Sequence, residues 1–254
     1  MSERLNVLGV GISALNMRKA LAQLESWIRA GERQYVCICN VHSIMECRRS
    51  ERVRHVFNRA GMVTPDGMPL VWLLRRAGYR DAGRVYGPDL MLATMPAFVA
   101  NGYRHYFHGG VGGVAERLAT MMRERFPGVA IAGTSTPAFG SAAELCNAEI
   151  AERINAARPD IVWVGMSSPK QDQWMACMRP LLQAPVLIGV GAAFDFHIGR
   201  VKQAPRWMMR SGLEWLFRLT QEPGRLWRRY LIDNPWFLYE IAQQQLGLKR
   251  FELD

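Results

Sequence analysis

No stretch of the 254 residues approaches the ~18 consecutive apolar residues of a membrane-spanning helix, so membrane contact is expected on the surface and not across the bilayer. Met1-Ser-Glu-Arg-Leu-Asn lacks the basic and apolar regions of a signal peptide. Asp-x-Asp is missing, and the five histidines (42, 55, 105, 108, 197) form no His-Glu-x-x-His or comparable spacing, which argues against a bound metal. Gly-Lys-Ser/Thr is missing, excluding a P-loop, and no Gly-x-Ser-x-Gly elbow marks a serine hydrolase. RRM, KH, helix-turn-helix and zinc patterns are absent, so a nucleic-acid binder would rest on charge alone. Cysteine is scarce and odd in number, at 37, 39, 47, 146 and 177. Cys37-x-Cys39 on one strand face reads as core thiols rather than a bridge, and the set implies a reducing cytosol. Acid is short too: 22 Asp and Glu against 32 Lys and Arg give a net charge of +10, which points to an anionic ligand, lipid or nucleic acid.

What is present is a globular composition, 49% hydrophobic and 21% charged, long enough to bury a substantial core. Strand and helix signals alternate through Leu219. Strands are expected at 35–39, 62–64, 105–108, 129–132, 161–164 and 186–190, with helices at 43–59, 68–76, 89–101, 113–126, 142–157 and 171–182. This predicts an α/β, Rossmann-like fold, a mainly parallel sheet with helices on both faces and ligands at the carboxyl ends of its strands. Beyond about 198 the β signal stops. Residues 1–198 are expected to form the catalytic core and 199–254 a basic helical C-terminal segment, with Pro223 starting a helix and Asn234-Pro235 interrupting it.

The turns at strand ends carry the chemistry. Gly9-Val-Gly11-Ile-Ser-Ala14 mimics a dinucleotide fingerprint but lacks the acid about 20 residues on, so a nicotinamide or flavin site is disfavoured. His108-Gly109-Gly110 lies between a strand and a helix, where backbone N–H groups can converge on a phosphate, or where a tight turn alone is needed. Thr64-Pro65-Asp66-Gly67 sets a carboxylate at a strand end. It is either a turn residue or a base for a hydroxyl nucleophile. Gly165-Met-Ser167-Ser168-Pro169-Lys170-Gln171-Asp172 offers hydroxyls and Gln171 at a helix start, suited to a sugar or phosphate and equally to helix capping. From Gly199 to Tyr230 eight Lys and Arg stand against Glu214 and Glu222, beside Trp207, Trp215 and Trp227. That run reads as phosphate or lipid contact for the cations, and as core packing or an interfacial belt for the rings.

Seven segments taken together carry a resemblance. They are Asn40 after its strand, Thr64-Pro-Asp-Gly67, Arg84-Val-Tyr-Gly-Pro-Asp-Leu90, His108-Gly-Gly110, Ser168-Pro-Lys-Gln-Asp172, Gly189-Val-Gly-Ala-Ala-Phe-Asp195 and Gly212-Leu-Glu-Trp-Leu-Phe-Arg218 with Glu222-Pro223. In this order the chain resembles the WecG/TagA/CpsF family of bacterial glycosyltransferases over roughly residues 5 to 235. Gly-Ala-Ala-Phe-Asp-Phe-His197 with Leu-Trp-Arg-Arg-Tyr230 is similar to the exopolysaccharide branch, which includes the xanthan-pathway glucosyltransferase.

The resemblance implies an inverting, metal-independent and cofactor-free transfer from a UDP-sugar to a polyprenyl-diphosphate-linked saccharide, at the inner face of the plasma membrane. Glucose is expected by branch, with N-acetylmannosamine or its uronate the alternative. It implies Asp66 as base, and Arg218, Arg225 and Arg228 as catalytic cations supplied when the C-terminal segment closes at an anionic membrane. Asn40, Arg84, His108, Gly109, Gly110, Gln171, Gly191 and Asp195 would bind substrate. Ile38 stands where the family often has Thr, and Asp172 where it has Glu, which loses a hydroxyl and shortens an acid. A homo-oligomer stays open. With no metal, arginine is the natural carrier of a leaving diphosphate, since its guanidinium binds phosphate bidentately and stays charged.

Overall fold

The computed structural model describes residues 3–253. It opens with an antiparallel hairpin, β1 (Arg4–Val7) and β2 (Val10–Ser13), in which Gly11 pairs with Asn6. The Gly9-Val-Gly11 run therefore belongs to a hairpin and not to a strand-to-helix turn, and its likeness to a dinucleotide fingerprint ends there. The chain then continues α1 (Met17–Ala30), β3 (Gln34–Cys39), α2 (Val41–Arg49), α3 (Glu51–Arg59), β4 (Met62–Pro65), α4 (Met68–Arg76), α5 (Gly87–Val99) and β5 (Arg104–Gly109). Next come α6 (Val114–Arg125), β6 (Ala130–Ser135), α7 (Ala148–Ala156), β7 (Ile161–Gly165), α8 (Lys170–Met178), β8 (Val186–Gly189) and α9 (Ala193–His197). The basic C-terminal segment holds α10 (Arg206–Arg210), α11 (Glu214–Gln221), α12 (Pro223–Arg228), a π-helical turn (Arg229–Asp233) and α13 (Asn234–Gln245).

Six strands form one parallel sheet in the order β4-β3-β8-β7-β5-β6. The period-two pleat sends Val36, Ile38, Trp163 and Ile188 to one face, packed with Leu24 of α1, Leu90 of α5 and Leu118 of α6. It sends Cys37, Cys39, Val162, Val164 and Leu187 to the other, against Ile44 of α2, Phe57 of α3, Trp174 of α8 and Phe237 and Ile241 of α13. Burial on both faces explains why these strands read as unbroken apolar runs. The mainly parallel α/β sheet expected from sequence is what the chain adopts.

Four local expectations fail, each for a physical reason. The helix expected over 43–59 breaks at Ser50, which sits at φ −138°, ψ 111° and accepts from Val53 N at 3.4 Å, ending one helix and capping the next. The helix expected from 142 begins at Ala148, because Asn147 accepts from Ile150 N at 3.0 Å. Pro235 does not interrupt the last helix. It lacks an N–H and its ring crowds the preceding turn, and the π turn over Arg229–Asp233 opens the room it needs. Finally, Cys146 and Cys177 form a disulfide, where thiols were expected. The fold brings them together where Trp174 Nε1 donates to Leu145 O at 2.9 Å, whereas Cys37, Cys39 and Cys47 are buried thiols as expected.

The C-terminal end returns to the start of the chain. Gln244 accepts from Leu8 N at 3.0 Å and donates to Asn6 O at 3.0 Å, and Asn6 donates to Phe251 O at 2.5 Å. Glu240, almost fully buried, holds Arg48 at 2.7 Å and Lys249 at 2.8 Å.

Candidate active site

Two strand ends, β3 and β4, build one wall of a cavity of about 510 Å³, and the C-terminal segment builds the other. β3 stops at Asn40, whose side chain accepts from Ser43 N at 3.2 Å and so starts α2. Beside it the backbone of Asp66 follows β4, its N–H donating to Cys39 O at 2.8 Å, and Gly67 then opens α4. Val85 N donates to Pro65 O at 3.0 Å, which lays Arg84 and Tyr86 along the same edge.

Arg84 is the electrostatic hub. Its guanidinium donates to Asp66 Oδ1 at 3.0 Å, to the Asp66 carbonyl and to Glu214 Oε2 at 2.6 Å, and it lies 4.3 Å over the Tyr86 ring. Burial opposes the charge, but the two carboxylates outweigh it and hold Arg84 protonated more firmly than usual. Burial pushes the Glu214 carboxyl up, Arg84 pulls it down, and Asp66 adds like-charge repulsion that raises it. Arg218 lies one helical turn beyond Glu214 and also lines the cavity, 5.6 Å from the Phe196 ring.

Of the residues expected from sequence, Asn40, Asp66, Arg84 and Arg218 meet here. Arg225 and Arg228 do not line it: Arg225 pairs with Glu222 at 2.5 Å on the surface, and Arg228 stacks over Trp227 at 5.3 Å. Arg229 enters instead. It donates to Asn40 Oδ1 at 3.4 Å, while burial and then the nearby Arg218 lower its proton affinity. Sequence reasoning assigned no role to Glu214 and gave Arg229 only a share in the basic run, although both sit inside the motifs quoted. Nor does core packing account for the tryptophans: Trp207 is 64%, Trp227 44% and Trp236 52% exposed, and Trp215 lines the cavity.

A second group gathers at the ends of β5, β7 and β8. The connection from β5 leads outward to β6 while that from β7 leads back to β8, so the crevice between β5 and β7 is a topological switch point. Gly109 lies there at φ 143°, where a Cβ would sit 2.5 Å from Gly165 O, and Gly110 N donates to that oxygen at 2.9 Å. Only glycine allows this approach. His108 is buried, stacked 4.5 Å from Trp174, and bonded through Nδ1 to Ser135 Oγ at 2.7 Å. Burial pulls His108 down to about 4, so it is neutral near pH 7. Gln171 accepts from Gly191 N at 2.8 Å and fixes that turn. Asp195 pairs with Arg200 at 3.2 Å on α9, outside the cavity. Asp172 is fully buried, accepts from Ser168 Oγ at 2.6 Å, and is pushed up to about 6 by burial. Ile38 packs into the core, leaving no hydroxyl at that position.

A base candidate at one strand pair, guanidinium groups across from it and a glycine crevice two strands away form a divided site. The family model described as "Glycosyl transferase WecG/TagA/CpsF family" matches residues 5–251. The chain belongs to this glycosyltransferase family. A relative from Bacillus spizizenii, an N-acetylglucosaminyldiphosphoundecaprenol N-acetyl-beta-D-mannosaminyltransferase, is 30% identical over 78% of this chain and 74% of its own. Proteins of the same name from Bacillus subtilis strain 168 (29%, over 77% and 74%) and Staphylococcus aureus strain MW2 (22%, over 97% and 95%) are also similar. As a WecG/TagA/CpsF member the protein is a glycosyltransferase.

Proposed function

We propose that the protein transfers a sugar, with inversion, from a UDP-sugar to a polyprenyl-diphosphate-linked saccharide, and that the sugar is N-acetylmannosamine. The reading is carried by the Asp66 carboxylate, held by Arg84 in a cavity that Arg218 and Arg229 also line. Asp66 takes the proton of the acceptor hydroxyl as its oxygen bonds to the anomeric carbon. The bond from that carbon to UDP breaks and its electron pair leaves on the diphosphate. Arg218 and Arg229 offset the charge that develops there, which in a water-poor site contributes several kcal/mol. The glycine crevice at β5 and β7 suits the donor phosphates, because its backbone is bare of side chains. The relatives' names favour N-acetylmannosamine over the glucose suggested by the exopolysaccharide likeness.

A lipid-linked acceptor requires the membrane surface. Among the described residues no helix is long and apolar enough to cross a bilayer. Exposed Trp207, Leu231, Ile232, Trp236 and Leu238 lie among cations of the C-terminal segment, supporting an interfacial seat on the inner face of the plasma membrane. Each basic residue near anionic lipid adds about 1 kcal/mol.

The deciding experiment offers UDP-N-acetylmannosamine and UDP-glucose, with EDTA present, to a soluble short-prenyl diphosphate-linked N-acetylglucosamine. Transfer from the first is expected. Preference for UDP-glucose would restore the glucose reading, and activity restored only by Mg²⁺ would overturn metal independence. No transfer with either donor, together with salt-sensitive oligonucleotide binding, would favour a nucleic-acid binder.

A further inference from the structure

Glu214 has no part in the transfer as proposed, yet it is the acid that the C-terminal segment sets against Arg84. It opens α11, a helix that fully buries none of its residues, and its Oε2 lies 2.6 Å from the Arg84 nitrogen that holds Asp66 Oδ1 at 3.0 Å. All three side chains are largely shielded, 19%, 15% and 12% exposed for Glu214, Arg84 and Asp66, so their mutual charges are little screened.

Count the groups that face Asp66 from each packed element. Cys39 comes from β3, His42 from α2, Arg84 and Tyr86 from the stretch before α5, Glu214 and Arg218 from α11, and Arg229 and Tyr230 from the π turn. The Cys39 thiol is held un-ionised by burial, Tyr86 likewise, and burial draws His42 down to about 4. The groups left to act on Asp66 are therefore three guanidinium groups and the Glu214 carboxyl. Remove Glu214 and three cations act on one carboxylate, which lowers its proton affinity and makes it a poor base.

Resting on the reading of Asp66 as base, we propose that Glu214 is a positioning residue that keeps Asp66 basic by sharing Arg84, and does so only when α11 is docked. The segment that encloses the cavity thereby also tunes the base.

The test is the pH dependence of kcat/KM with a soluble acceptor for the full chain and for Glu214→Gln, Glu214→Asp and Asp66→Asn. In Glu214→Gln the acid limb should move down by about one unit and the plateau fall about tenfold or more, while Glu214→Asp restores the limb. A plateau that falls with the acid limb unmoved means Glu214 only holds the helix, and overturns the proposal. So does an unchanged profile. If Glu214→Gln undocks α11, seen as faster amide exchange over 213–221, Glu214→Asp decides: its limb must coincide with that of the unmodified protein. Should Asp66→Asn keep near-normal turnover, the base assignment itself fails. An inactive Asp66→Asn with an unmoved limb in Glu214→Gln faults this inference alone.

Discussion

Arg229 reaches Asn40 across 189 residues of sequence, its terminal nitrogen 3.4 Å from the side-chain oxygen that also caps α2. Its Nε is buried without a partner, so the cavity carries a cation whose hydrogen bonds among the described residues do not fully offset its burial. An anion bound there would do so.

That arrangement ranks the arginines. Arg218→Ala and Arg229→Ala should each lower turnover by about 10²-fold with a soluble acceptor while the protein stays bound to anionic vesicles. Arg225→Ala and Arg228→Ala, outside the cavity, should cost more with a vesicle-borne lipid acceptor than with a soluble one. Equal losses in both assays for all four variants would mean that the segment closes further than this structure does.

Asp66→Asn keeps the hydrogen bonds to Arg84 but cannot take a proton. Turnover should fall about 10²-fold or more, with UDP binding by thermal shift unaltered. A variant with close to full activity assigns the base elsewhere.

Legibility in the sequence tracked how local each cause was. Asn40, Asp66 and Arg84 could be read because a strand end and its turn lie within a few residues of one another, and the parallel sheet because doubly buried strands are apolar throughout. Ser50 could not, since a serine inside a helical pattern breaks it only if its side chain turns back on the backbone. The choice of Arg229 over Arg225 and Arg228 was hidden for a different reason. Glu222, at φ −137° and ψ 61°, ends α11 ahead of Arg225 and Arg228, so seven-residue spacing from Arg218 no longer marks one face. Glu214 meeting Arg84 and Cys146 meeting Cys177 are tertiary events that no local pattern records.

Asp172 makes stability depend on pH in an unusual direction. Burial raises its carboxyl from 3.8 to about 6, so between those values the folded protein holds a proton that the unfolded chain releases. Its stabilising contribution is complete below the unfolded value and is lost as pH rises through about 6. Asp172→Asn, which can still accept from Ser168, should therefore gain on the unmodified protein by about 2–3 kcal/mol between pH 4 and pH 7. Urea midpoints at the two pH values measure this, and a constant difference would show that folding leaves the proton affinity of Asp172 unchanged.

The Cys146–Cys177 bond closes 31 residues of sequence, and constraint of the unfolded chain at that length is worth about 2–4 kcal/mol. Dithiothreitol should lower the Tm of the protein and leave a Cys146→Ser, Cys177→Ser double variant unmoved. A Tm indifferent to reductant would make both sulfurs thiols.

The tie between Gln244, Asn6 and Leu8 has a consequence for how the protein is made. At a synthesis rate of about 5–20 residues per second, every strand of the sheet has emerged several seconds before the last helix is complete. Until then Asn6 and Leu8 lack Gln244, and a chain that stops near residue 200 has no Glu214 beside Arg84 and no Arg218 or Arg229 in the cavity. The cavity walled by the C-terminal segment is the last feature the nascent chain acquires, and a chain ending near residue 200 is expected to transfer no sugar.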